Sequence, residues 1–347
     1  MSTVAVTGAN SPVGRALVAR LDAARSVTRV VAVDLDEPDM PAAKLEFRTA
    51  DVRDPLLPNA LAGADVVVNL AGRAGSTRDE DTMFARTVNG TRNMLAAAAK
   101  VGATKVVHLS SAAIYGAHPD NLVPLPESAP LRANPDFGYG YQQLLAEELV
   151  AEWAAGHPDA TVTVLRPAPM LGPGVDGFLA RQLECLRLPL VRGHAPPRQF
   201  VHVEDVAAAL ALAVTADLPG PYNVAADGWL AAEELLGLLG RKPVVVPEAV
   251  AFTTAEQLWA RGLSELPAGA VHYVMHPVVL DTDRLHEQGW APTRSNREII
   301  REFADAHRPY LTLGRVRLRR RQLGFGLVAI LALLGGLLTF RRSRRSL

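Results

Sequence analysis

The sequence predicts an α/β fold: a doubly wound parallel sheet with helices on both faces and a smaller C-terminal lobe. Three observations predict it. Short β-branched runs alternate with stretches of helical periodicity, a glycine turn follows the first run, and polar or glycine residues close run after run. Short apolar strands separated by helices suit a parallel sheet, because both faces of each strand are buried.

The first strand is read at Thr3-Val4-Ala5-Val6-Thr7 and stops at Gly8. Ala9 to Pro12 make a turn, and Val13 to Ala23 place Val13, Leu17, Val18 and Leu21 at helical spacing. Strand, glycine turn and helix in this order build a pyrophosphate site, with backbone N–H groups of the helix start facing the phosphates. Gly8 permits the tight turn and Gly14 the close contact of helix and strand, while Ser11 stands where a middle glycine is usual.

The second strand, Arg29 to Val33, ends at Asp34, about 20 residues beyond Gly14. An acidic side chain there accepts hydrogen bonds from the adenosine ribose and repels a 2′-phosphate, which favours NAD over NADP. A simple turn with Asp36 and Pro38 is the alternative.

Further strands are read at Leu45 to Thr49, before Asp51 and Val52, at Val66 to Asn69, before Leu70-Ala71-Gly72, and at Lys105 to Leu109, before Ser110 and Ser111. A long helical region runs from Asp79 to Val101. Gly8, Asp34, Asp51, Gly72 and Ser111 thus fall at carboxyl strand ends, where such sheets bind ligands.

Taken in order, these motifs resemble the extended short-chain dehydrogenase/reductases, specifically the NAD-dependent epimerase/dehydratase family of the UDP-glucose 4-epimerase type, built on a Rossmann sheet. Thr7 to Gly14 is similar to the family's glycine motif, Asp51-Val52 to its adenine-contacting pair, and Asn69 to Gly72, with Ala71, to the strand beside the cofactor. Val88-Asn89-Gly90-Thr91 resembles the helix whose asparagine steadies the site, and Ser110 to Gly116 the serine motif. Leu165-Arg166-Pro167, Leu171 to Gly174, Arg198 to Val206 and Tyr222-Asn223-Val224 continue the series, which covers roughly residues 2 to 305.

The resemblance implies Tyr139 as proton-transfer residue, Ser111 as orienting hydroxyl, and a lysine one helical turn after the tyrosine. Here that position is Gln143. A lysine would lower the phenol pKa by its charge. An unperturbed tyrosine is only about 0.1% ionised at neutral pH, so the replacement bears directly on turnover. Gln143 offers an amide for the nicotinamide ribose, and the chain's lysines, Lys44, Lys100, Lys105 and Lys242, stand at no carboxyl strand end. The resemblance further implies that Arg198 contacts a substrate diphosphate, a role suited to a guanidinium fork, with a surface arginine as the alternative. His202 is read as structural. A homodimer through a helix bundle that includes the Tyr139 helix is also implied.

The lobe, mainly 167–200 and 225–307, reads as helices at Ala231 to Leu239, Thr254 to Leu263, Asp281 to Gln288 and Asn296 to His307, with a strand at Pro243 to Val246. The cofactor-binding domain spans 1–310. At 347 residues and 49% hydrophobic content the chain can bury one large core plus this lobe. Cys185 is the only cysteine, so no internal disulfide is expected, and no Cys/His cluster with metal-ligand spacing appears.

The formal net charge of zero hides an asymmetry. No acidic residue follows Asp305, and nine arginines lie beyond Tyr310. They flank Leu323 to Phe340, an uncharged apolar run near the lower limit of about 17–25 residues for a spanning helix. We expect a basic linker at 311–322, a transmembrane helix or shallow anchor at 323–340 and a basic tail at 341–347, with membrane lipid as a partner and the body on the cytoplasmic face. The first strand follows the N-terminus directly, so no cleavable signal is expected. Apolar sequence between the arginine clusters, with no aromatic interleaving, disfavours nucleic acid.

Three functions follow. The leading one is a membrane-tethered NAD-dependent epimerase, dehydratase or dehydrogenase acting on a nucleotide sugar. The others are a noncatalytic NAD-binding sensor or scaffold, motivated by Gln143, and a dehydrogenase of sterol or isoprenoid alcohols.

Overall fold

The computed structural model describes residues 1–71, 78–264, 266–308, 310–313 and 316–319. The strands are β1 (Ser2–Thr7), β2 (Val27–Asp34), β3 (Leu45–Thr49), β4 (Val66–Asn69), β5 (Lys105–Leu109), β6 (Thr161–Pro167), β7 (Met170–Leu171), β8 (Arg187–Val191), β9 (Val201–His202), β10 (Gly220–Val224), β11 (Lys242–Val246), β12 (Tyr310–Leu313) and β13 (Val316–Arg319). The α-helices are α1 (Pro12–Ala23), α2 (Leu57–Ala60), α3 (Glu80–Phe84), α4 (Gly90–Lys100), α5 (Gly138–Gly156), α6 (Phe178–Glu184), α7 (Val203–Thr215), α8 (Ala232–Leu239), α9 (Glu248–Ala260), α10 (Ala270–Met275), α11 (Asp283–His286) and α12 (Asn296–His307).

Seven strands form one parallel sheet in the order β10-β6-β5-β4-β1-β2-β3. The chain winds outward from β1 through β2 to β3, then returns to β4 and winds the other way. The two directions part between β1 and β4, and the crevice above their carboxyl ends is where such a sheet takes its ligand.

Period-two alternation divides the apolar strand residues between two cores. Val4, Val6, Val30 and Val68 pack with Leu17 and Val18 of α1 and Val206 and Leu210 of α7. Ala5, Val31, Val67 and Val106 face the other way, against Met94 and Leu95 of α4 and Val150 of α5. Each fully buried Val or Leu stabilises the fold by roughly 1.5–3 kcal/mol, so sheet and helices hold each other without disulfides.

In the smaller lobe β7 pairs with β9 and β8 with β11. Leu235 of α8 meets Ile299, Ile300 and Phe303 of α12. A reciprocal capping box, Ser295 with Glu298, starts α12 at the residue the sequence predicts. Other boundaries differ from expectation. Extended Pro247 caps α9 and starts it at Glu248 instead of Thr254, while α11 is a single turn that Gly289, at φ 85°, follows closely. The helical region from Asp79 to Val101 is interrupted by a π-helical turn at Ala85–Asn89. Within the expected basic linker, β12 and β13 pair antiparallel. The apolar run 323–340 and the tail 341–347 lie outside the described residues. Among the described residues no helix is long and apolar enough to cross a membrane.

Candidate active site

The glycine turn is shaped by close approach. Gly8 sits at φ 71°, and a Cβ there would come within 2.9 Å of the Leu70 carbonyl oxygen. A Cβ on Gly14 would lie 2.5 Å from the Gly8 carbonyl oxygen, so α1 packs against the turn only as glycine allows. Ser11 needs no such freedom. It is extended, at φ −66°, and caps α1 by accepting from the Gly14 N–H at 3.1 Å while donating to the Gly8 carbonyl at 2.7 Å.

Asp34, at the end of β2, ties itself to this turn: its carboxylate accepts from the Asn10 N–H at 2.9 Å and from the Leu35 N–H at 2.8 Å. Asp51 pairs with Arg53 at 2.6 Å, and that hydrogen bond holds its carboxyl below the usual range. Beneath Ala71, Asn69 accepts from the Thr7 hydroxyl at 3.0 Å and donates to Thr91 at 3.2 Å. Asn69 also meets His108, which burial pushes down to about 4 and so keeps neutral.

Ser111 follows β5, and its Oγ caps a short 3-10 helix by accepting from the Ala113 N–H at 3.2 Å. Its side chain lies beside the phenol of Tyr139, in the first turn of α5. The Tyr139 ring meets Phe137 and Phe178 edge-on, with centroids 6.0 and 5.7 Å apart. Burial raises the phenol pKa, and Ser111 beside it offsets only part of the rise. One turn on, Gln143 is buried, and its Oε1 lacks a partner. Another turn on, Glu147 forms a buried ion pair with Arg166 of β6. Arg166 donates to the Tyr115 hydroxyl at 2.9 Å, and that hydroxyl donates to Asn223 of β10 at 2.8 Å. This chain of contacts fixes α5 against the sheet and so sets the position of Tyr139 and Gln143.

Gly8, Ser11, Asp34, Asp51, Val52, Ala71, Ser111, Tyr139, Gln143 and Arg198 all line one cavity of about 930 Å³. Gly14 contributes through packing, and Gly72 lies outside the described residues. Asn89, expected beside the cofactor, is not there: it is exposed and accepts from Arg92 at 3.0 Å. Inward positions of this helix recur at Thr87, Val88, Thr91 and Met94, and Asn89 falls on the other side. Thr87 is buried and Arg86 lines the cavity, where its charge helps lower Asp51. Sequence reasoning also missed Phe178 and Tyr273, which the smaller lobe brings to the site. The Tyr273 hydroxyl donates to the Ala113 carbonyl at 2.8 Å, docking α10 on the serine loop.

Arg198 is a cavity-wall residue. Its guanidinium donates to the backbone carbonyls of Tyr273 and, at 3.1 Å, Val274. Burial pulls its pKa down to about 10, and no carboxylate among the described residues pairs with it. A half-buried cation without a counter-ion favours an anionic ligand. His202 is structural: its Nδ1 accepts from the Glu204 N–H and caps α7. Among the described residues no cluster suits a metal ion.

The family model described as the NAD dependent epimerase/dehydratase family matches residues 4–225. The chain belongs to that family.

Its similarity to an uncharacterized protein of Mycobacterium tuberculosis is 30% identity over 310 residues, 86% of this chain and 82% of that protein. An N-acetyl-alpha-D-glucosaminyl-diphospho-ditrans,octacis-undecaprenol 4-epimerase of Escherichia coli O157:H7 is 36% identical over 125 residues, 35% of this chain and 36% of the relative. Among solved structures, the Thermus thermophilus UDP-glucose 4-epimerase complex with NAD superposes with a TM-score of 0.67 at 25% identity, over 88% of this chain and 99% of the other. The Thermotoga maritima UDP-glucose 4-epimerase with UDP-glucose gives 0.68 at 22%, over 88% and 98%, a likeness of fold.

NAD is the cofactor of this epimerase/dehydratase family member, and the residues present fit it. Gly8 and Gly14 leave no room for a Cβ, Asp34 closes β2 beside them, and the orphaned Gln143 Oε1 awaits a donor such as a ribose hydroxyl.

Proposed function

We propose that this protein is an NAD-dependent epimerase or dehydratase acting on a sugar carried on a diphosphate, a nucleotide sugar first of all, with its turnover slowed by Gln143. The observation that carries the reading is Arg198: a half-buried guanidinium without a carboxylate partner among the described residues, held by backbone carbonyls in the wall of the cavity that also holds Ser111 and Tyr139. A diphosphate would supply the negative charge it lacks. Likeness to nucleotide-sugar epimerases of the same fold supports the same substrate class.

Bound NAD would supply the hydride acceptor. The chain's own residues do the rest. Ser111 orients the substrate hydroxyl, Tyr139 takes and returns its proton, and Gln143 accepts a hydrogen bond from the nicotinamide ribose. Arg198 holds the diphosphate, and Phe178 and Tyr273 shield the site from water. Without a lysine the phenol stays protonated at neutral pH, so proton removal is the slow step.

The raised Tyr139 pKa also favours a second reading, a noncatalytic NAD-binding sensor or scaffold. We place the body on the cytoplasmic face of a membrane, tethered by the arginine-flanked apolar run 323–340, with a homodimer through the α5 face as the proposed assembly.

The test is a single-turnover reaction of NAD-loaded protein with UDP- and dTDP-sugars, followed at 340 nm and by product analysis. Slow conversion that Gln143→Lys accelerates supports the enzyme. NAD binding with no conversion by either form supports the sensor, and failure to bind any sugar diphosphate overturns the substrate class.

A further inference from the structure

Among the described residues Glu184, the last of α6, is the most deeply buried carboxylate, at 0% exposed. Three side chains from the C-terminal end of the chain surround it: His307, where α12 stops, Thr312 of β12, whose hydroxyl donates at 2.8 Å, and Arg317 of β13. A carboxylate can be taken out of water only where donors meet it. Burial works to raise its pKa, yet these hydrogen bonds bring it below the usual carboxylate range. The backbone of Thr312 also bridges Cys185, the residue after Glu184.

Arg317 does more than neutralise Glu184. Its other terminal nitrogen reaches Asp176 at 3.1 Å, so one guanidinium holds carboxylates from both ends of α6. Its Cζ lies 4.0 Å from the centroid of the Tyr310 ring, which steadies the fork from within the hairpin. The helix needs such help. It has seven residues, too few to persist alone, and Gly177 gives it no side-chain cap. Its inner side, Ala180 and Leu183, packs with Ile299 and Phe303 of α12.

In turn α6 builds part of the active site. Leu179, Arg181 and Gln182 line the cavity, and Phe178 meets Tyr139 edge-on at 5.7 Å and Phe137 at 6.1 Å. Gly8, Ser11 and Asp34, by contrast, stand at the ends of β1 and β2 and the start of α1, outside the smaller lobe. The hairpin thus supports the substrate wall, and the sheet supports the cofactor turn.

We propose that the hairpin of β12 and β13 is a strap that completes the substrate wall: Arg317 and Glu184 are positioning residues that hold α6, and with it Phe178, against Tyr139. Lifting β13 withdraws Arg317 from both ends of α6 at once and leaves Glu184 a buried charge short of a partner, so α6 loosens while the cofactor turn stands. The C-terminal segment, which continues from Arg319 into the apolar run 323–340, is thereby coupled to substrate binding. The ligand named for this wall, a sugar diphosphate, rests on the function proposed above.

The test is amide hydrogen exchange read by mass spectrometry on the full chain, paired with calorimetric titration of UDP and of NAD. Arg317→Met should speed exchange across 178–184 severalfold and weaken UDP severalfold, with NAD affinity and exchange in β1 and β4 unchanged. Arg317→Lys should recover part of both losses, since an ammonium group reaches one carboxylate at a time. Glu184→Gln, which keeps the side chain's shape and loses its charge, should act in the same direction as Arg317→Met. Faster exchange in the hairpin alone, with 178–184 still protected and UDP affinity unchanged, overturns the strap. Faster exchange spread through β1 and β4 makes the hairpin a prop of the whole fold and overturns it equally. If the wild type binds no UDP, the sugar-diphosphate reading fails by itself; quickened exchange at 178–184 then still supports the strap, and unchanged exchange there overturns it.

Discussion

Gln143 lies one turn beyond Tyr139 on α5, buried beneath the cofactor cavity with its carbonyl oxygen unpartnered, so the phenol has a hydrogen-bonding neighbour but no cation. Restoring that cation makes the first prediction. Because burial raises the Tyr139 pKa, the wild-type rate should climb with pH throughout the range below that raised value. Gln143→Lys should move this limb to lower pH, and each whole pH step it moves should bring about tenfold more turnover at neutral pH. A pH–rate profile of kcat for both forms checks it, and an unchanged limb would mean that Tyr139 is not the base.

Arg198→Met should raise the KM for a sugar diphosphate by roughly 10–100-fold while leaving NAD affinity unchanged, since only charge-assisted hydrogen bonds to the diphosphate are lost. Calorimetric titration with UDP, and separately with NAD, separates the two.

Asp34→Ala should weaken NAD by about tenfold through loss of the ribose hydrogen bonds, and should narrow the preference for NAD over NADP by removing the repulsive carboxylate. Titration with both nucleotides reads both effects.

Arg86 lines the cavity, whereas Asn89, which the sequence places beside the cofactor, is exposed. Asn89→Ala should leave NAD affinity within about 0.5 kcal/mol of wild type, as expected of an exposed side chain. Arg86→Ala should weaken NAD binding, because it removes a positive charge from the cavity wall.

Glu147→Ala should destabilise the protein by about 3–5 kcal/mol, because Arg166 is left as a buried, unpaired cation. The urea midpoint should fall accordingly. Because the pair fixes α5, the variant should also lose activity under conditions in which it remains folded.

The sheet was legible in sequence because its strands are short, β-branched and closed by residues with one spatial meaning: Gly8, Asp34, Asp51 and Ser111 all reach the same cavity. Ser11 in place of a glycine was tolerable for a reason visible only in the backbone, its extended φ and capping hydroxyl. The π-turn escaped because Ala85 to Asn89 carry an ordinary helical pattern, and Asn89 falls on the side of the helix away from buried Thr87, Val88 and Thr91. The aromatic wall of Phe178 and Tyr273 depends on how the smaller lobe folds back, which local periodicity does not encode. The terminal hairpin was hidden by its arginines, whose alternation with Leu and Val is a strand signal when read at period two.

The most direct test of the central claim, an NAD site built around Tyr139 and Gln143, is a native mass spectrum of the full chain released from detergent as purified. Retained NAD, alone or with a sugar diphosphate, is the predicted result. A bare protein that also fails to take up added NAD would contradict it.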